Sequence, residues 1–188
     1  MFFQKWLRST NLNNNSTIVL FEAAFIGVLI TNDPFLPVFL TRLGATPFQI
    51  SLITVMPAVA GLFLTIPVSQ MLVNAVRIID WYRYPRLAGA IAYILAAIAP
   101  FLIQPTQWNI LVILVIFGFA TIPSLILMIT FNVVMNAVSG PRGRYNLMAK
   151  RLSIVVLTSA ICIALAGWFL EQFVFPLNYQ LLFIIFSV

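Results

Sequence analysis

Residues Ile18 to Leu40 read IVLFEAAFIGVLITNDPFLPVFL. A run of that length crosses a bilayer, which takes roughly 20 residues. It holds Glu22 and Asp33, half of the four acids in the chain. An acid within a membrane span is costly, and it faces a protein interior or a water-filled cavity. The two acids are eleven residues apart. On a helix that spacing leaves them only about 20° apart around the axis and about 16 Å apart along it. Asn32 and Asp33 lead into Pro34, and Pro37 follows. Either proline frees a backbone carbonyl and breaks or kinks the helix. A broken span with acids on one face points to a path for a proton or a cation. The plainer alternative is that Glu22 reaches the membrane surface and Asp33 caps the break.

Composition bounds the rest. The chain has 188 residues, of which 62% are hydrophobic and 7% charged. Its mean hydropathy is +1.07. Water-soluble domains carry about 25% charged residues, so an all-α, polytopic membrane bundle is expected. Lys and Arg exceed Asp and Glu by six. Nucleic acid is not the implied partner, because the basic residues sit in short segments between apolar runs, as membrane orientation requires. Cys162 is the sole cysteine and there is no histidine. A disulfide within the chain and imidazole metal sites are therefore excluded, and no cofactor is expected.

Outward from the first run, residues 1–17 form a polar lead, expected on the cytoplasmic side. Six apolar segments follow, at about 18–41, 47–74, 87–103, 108–137, 152–173 and 181–188. Thr46-Pro47-Phe48-Gln49 is a helix start, with Thr46 and Gln49 as a capping box and Pro47 at the first helical position. Basic loops are expected at 75–86 and 138–151. The fourth segment is expected to break at Thr121-Ile122-Pro123-Ser124. The last segment is too short to span, so the chain is expected to end inside its sixth helix. With the N-terminus inside, nine of the ten basic residues fall on inner segments and Arg42 alone on an outer turn. The positive-inside rule then sets the orientation. The expected setting is a cell (inner) membrane.

Other candidates are weaker. Asn132 and Asn136 share a helix face and could line a substrate path or bond between helices. Ala160, Ala164 and Gly167 form a small-residue stripe suited to helix packing. Arg142, Arg144, Lys150 and Arg151 fix topology or meet anionic lipid.

The stretch Leu43-Gly44-Ala45-Thr46-Pro47-Phe48-Gln49-Ile50-Ser51-Leu52 resembles the turn between helices 1 and 2 of the major facilitator superfamily. Gly140-Pro141-Arg142-Gly143-Arg144-Tyr145 is similar to the loop between its helices 4 and 5. The resemblance implies the N-terminal six-helix half of a transporter, built as two inverted three-helix repeats. Its other half would lie in the same chain or in a partner chain. The family's loop motif between helices 2 and 3 keeps its acid at Asp80, and Arg86 stands near the trailing basic pair. Val76, Trp81 and Arg83 depart from the motif. For Asp80, Arg83 and Arg86 the resemblance implies a latch at an inner gate.

The expected function is transport of a small solute across the lipid bilayer by alternating access, coupled to protons or another ion. The embedded charges are all acidic and no Lys or Arg is expected deep in a span, so a neutral or cationic amphiphile is the expected solute, which suggests efflux, with import the alternative. Asp33 and Glu22 are the expected coupling or substrate residues. Asn32, Asn132 and Asn136 are candidates to line the substrate path, with bonding between helices the favoured use of the last two. A non-transporting membrane subunit or an inactive fragment is the alternative. An intramembrane enzyme is disfavoured: a Ser-His pair is impossible, and acids about 16 Å apart along a helix cannot share a proton as an aspartic dyad does.

Overall fold

In a computed structural model, residues 12–73, 78–102 and 106–187 are described, with the backbone alone described for 12–16, 73, 78–80, 106, 136, 137 and 139–144. The described residues form an all-α bundle: α1 (Leu12–Ile30), α2 (Phe35–Arg42), α3 (Pro47–Val73), α4 (Ile78–Leu102), α5 (Thr106–Gln172) and α6 (Leu177–Ile185). Five stretches are long and apolar enough to cross a membrane: Thr17–Arg42, Pro47–Leu72, Trp81–Leu102, Gln107–Met135 and Tyr145–Gln172. The molecule is a multi-pass membrane protein by length and composition of these helices.

The first span breaks beside Asp33. Thr31, Asn32 and Asp33 donate their N–H groups to carbonyls three residues back, at 3.1, 3.2 and 3.0 Å. Pro34 has no N–H to continue the ladder and leads directly into α2. At the far end of α2, Gly44 takes φ 91°. A side chain there would meet nothing within 4 Å, so the backbone turn and not the space requires glycine. The Ala45 N–H reaches back to the Leu40 carbonyl at 2.9 Å, closing a Schellman turn. Thr46 and Gln49 form the capping box: the Thr46 N–H donates to Gln49 Oε1 at 2.8 Å, and the Gln49 N–H donates to Thr46 Oγ1 at 3.3 Å. That start sends α3 back across the bundle.

Several expected boundaries are corrected. The polar lead is already helical from Leu12; residues 1–11 lie outside the described residues. The basic segment expected as a loop at 75–86 is helical from Ile78. Basic residues mark the side of a membrane and not backbone conformation, and an i,i+4 contact between Tyr82 and Arg86 supports this turn. The break expected at Thr121–Ser124 is absent, because α5 runs through Pro123. Hydroxyls occupy the carbonyls there: Thr121 bonds Gly118 O at 2.6 Å and Ser124 bonds Ala120 O at 2.9 Å.

The loop expected at 138–151 is also helical, so α5 is one run of 67 residues. It nevertheless folds back on itself. The Arg151 guanidinium lies 4.4 Å from the Phe131 ring centroid, whereas twenty residues of straight helix would part them by about 30 Å. Ile110 and Ala166 likewise share one core. The last helix begins at Leu177, four residues before the expected start at about 181.

Two cores hold the bundle. One joins Leu36, Phe39 and Leu40 of α2 to Ala96, Ala97, Ile113, Leu182 and Phe183. The other joins Val19 to Met135, Val138 and Leu147. α1 and α4 each pack closely on α5. The tightest crossing is at Gly27, where a Cβ would lie 2.7 Å from Thr158 Cβ and 2.8 Å from the Val155 carbonyl. Gly27 is the small residue that packs α1 onto α5. The expected stripe does not pack inside the chain: Ala160 and Ala164 are exposed, and a side chain at Gly167 would meet nothing within 4 Å. α3 is peripheral, and Val68 alone of its described side chains is buried.

Candidate functional site

A cavity of about 860 Å³ opens between α1, α3, α4 and both arms of α5. Most of its wall is apolar, from Phe25, Ile26, Leu29 and Ile30 of α1 across to Leu127 and Met128 of α5. Thr121, Ser124 and Asn132 are among its polar wall residues. Asp33 and Tyr93 line it at one end, and Arg86 and Arg151 also line it.

Asp33 is exposed and lines the cavity. The break beside it places the carboxylate at the end of α1. The Tyr93 hydroxyl donates to Asp33 Oδ1. Tyr93 itself is buried, its ring held edge-on to Phe117 at 5.0 Å and tilted against Phe183 at 5.7 Å. Each such aromatic pair adds about 0.5–1.5 kcal/mol beyond area burial, so the hydroxyl is presented from a fixed ring. Among the described residues no Lys or Arg forms an ion pair with Asp33.

Glu22 is differently placed. It forms an ion pair with Arg86. The Tyr82 hydroxyl donates to Glu22 Oε1 at 2.7 Å, Arg86 donates to the same hydroxyl, and the guanidinium lies 4.1 Å from the Tyr82 ring centroid. Glu22 is not part of the cavity wall; Arg86 stands there in its place.

The two carboxylates therefore repeat one motif. Tyr82 and Tyr93 are eleven residues apart on α4, as Glu22 and Asp33 are on the first span. Both bonds join residues sixty apart in sequence. An equal offset at both ends means that α1 and α4 run parallel and in register, tied across the cleft by side chains.

The other expected site residues scatter. Asn32 is fully buried and bonds Ser187 Oγ at 3.1 Å, with its Oδ1 unpaired; it is turned away from the cavity wall. Asn132 is exposed, lines the cavity, and donates to the Met128 carbonyl at 3.4 Å. Arg83 is exposed and not part of the cavity wall. Arg86 holds Glu22 from within a helix and not from a loop. The side chains of Asp80 and Asn136 lie outside the described residues. No group of His, Cys, Asp and Glu among the described residues could hold a metal ion.

Sequence reasoning gave neither Tyr82 nor Tyr93 a role in the site and kept arginine out of the interior. The signal for the tyrosines was present, in a spacing equal to that of the acids. For Arg151 there was none, since only the fold-back of α5 brings it beside Phe131. No protein-family model matches the chain, no curated protein matches it, and no solved structure matches it.

Proposed function

We propose that the protein is a transporter, or one half of one, that moves a small solute by alternating access with coupling to protons or another ion. The observation that carries this reading is the cavity itself. Most of its wall is apolar, it is bordered by an acid without a cationic partner among the described residues, and two carboxylate–tyrosine bonds join the first span to α4 beside it. A purely structural bundle has no use for two ionisable crossings around an open space, because charge within a membrane is expensive.

Asp33 is the coupling group in this reading. Desolvation disfavours a charged carboxylate, so an acid facing such a cavity can take up a proton and release it when water enters. Resemblance of the 43–52 turn to the major facilitator superfamily supports the same mechanism. It also supports a second half, of the same or a partner chain, packed against the exposed side of α3. The distribution of basic residues supports a cytoplasmic N-terminus and Glu22 end in a cell membrane.

Proteoliposomes carrying the full-length transporter and an internal pH dye test the coupling. Solute-dependent acidification that a protonophore collapses is expected for at least one member of a solute panel. Solute movement with no proton movement would remove the coupling. Orientation is checked by single cysteines in a Cys162→Ser background. An impermeant reagent on intact cells should label Thr106→Cys and not Ser139→Cys; the opposite pattern would overturn the topology.

A further inference from the structure

Arg86 and Arg151 both line the cavity, yet only one of them is matched by an acid. Arg86 is paired with Glu22. Arg151 forms no ion pair among the described residues. Its guanidinium lies against Phe131 at 4.4 Å from the ring centroid. That cation–π contact supports the flat face of the group and leaves the N–H edge to be satisfied elsewhere. The Arg151 Nε is buried and has no hydrogen-bond partner. Leaving a buried charged donor unfilled costs free energy unless a ligand or water fills it. A carboxylate or phosphate fits this edge, since a guanidinium binds such groups through two parallel N–H bonds.

We infer that Arg151 is an anion-recognition point, and that the cavity takes a small organic monoanion with an apolar body. The acid group sits on the guanidinium edge, and the body lies along Ile26, Leu29, Leu127 and Met128, which line the same space. A compact zwitterion is disfavoured by distance. Arg151 lies within electrostatic reach of Tyr82, the partner of Glu22. Asp33 is eleven residues further along the first span, about 16 Å at helical rise. The two charges of an α-amino acid are too close together to reach both. This names the solute class of the transport reading and rests on it. The inference revises the expectation of a neutral or cationic solute.

Binding is measured on the purified full-length protein by thermal shift and calorimetry, with octanoate, octanol and octylamine as probes of matched length. Octanoate is expected to saturate a single site and to bind at least tenfold tighter than octanol, with octylamine weaker still. Arg151→Gln should weaken octanoate about tenfold and Arg151→Lys by less, while octanol binding stays the same in both and reports an intact cavity. Equal binding of octanoate and octylamine, or no effect of Arg151→Gln on octanoate, would overturn the assignment.

An acid on an apolar tail is also offered by anionic lipid, so the measurement is repeated in nanodiscs of phosphatidylcholine and of phosphatidylglycerol. Octanoate binding that persists in both supports a soluble ligand. Stabilisation by phosphatidylglycerol that depends on Arg151 and abolishes octanoate binding would assign the arginine to lipid and overturn the inference. Because these experiments read occupancy, octanoate binding without any solute movement would count against transport alone. Movement of only neutral or cationic solutes would count against the anion site alone.

Discussion

At the Glu22 end of the cleft a carboxylate is held by an arginine and a tyrosine together. At the Asp33 end a carboxylate is held by one tyrosine hydroxyl and faces open space. The helices, the spacing and the tyrosine are the same; only the cation differs. The matched carboxylate has its charge balanced by the guanidinium beside it. An unmatched one depends on how much water surrounds it. In the reading proposed above, the pair divides into a structural tie at Glu22 and a responsive group at Asp33.

Replacing each acid by its amide tests the division most severely. Asp33→Asn is expected to abolish proton-driven accumulation in the full-length transporter while exchange down a solute gradient survives. Glu22→Gln should keep accumulation and shift its pH dependence only mildly. Undiminished uphill transport by the double variant would place coupling outside this region.

A perturbation common to both ends comes next in size. Gly27→Ala puts a methyl group under 3 Å from Thr158 Cβ and the Val155 carbonyl. Overpacking of this kind costs about 1–3 kcal/mol, read as a lower midpoint of thermal unfolding in detergent. Unchanged stability would show that the crossing yields easily.

The arginine itself is the third test. Arg86→Gln leaves Glu22 without its counter-charge, with the two side chains only 24% and 20% exposed. The loss should be about 1–2 kcal/mol, below the 3–5 of a fully buried pair. Adding Glu22→Gln should recover part of it, a coupling visible in a double-mutant cycle.

Smallest are the hydroxyls. Tyr93→Phe should cost about 1 kcal/mol. Tyr82→Phe should cost less, because Glu22 keeps its arginine. Equal losses would mean that the two ends are bonded alike after all.

Hydropathy made the five spans legible, because a membrane demands long apolar runs and leaves little freedom in reading them. The break at Asp33 was legible for a local reason: Asn-Asp-Pro offers no side chain that restores the ladder. The matching reading at Pro123 failed because a proline inside a packed span need not end it: α3 and α4 also run on through theirs. The basic segments were given the wrong backbone, because charge says where a chain prefers water and not how it turns. Asp33 and Glu22 were found as isolated acids. Their partners depended on how α4 is rotated about its axis, which only packing decides.

Gly27 lies nearly midway between Glu22 and Asp33 in sequence, at the point where α1 presses hardest on α5. A rod pinned near its middle behaves as a lever on a fulcrum. Tilting it towards α4 at one tip carries the other tip away. Sliding α4 by one turn, about 5.4 Å, would instead break both tyrosine bonds at once and leave the cleft open to both sides. Rocking breaks one and keeps the other, so in the transport reading proposed above the two ends of the cleft would loosen in turn.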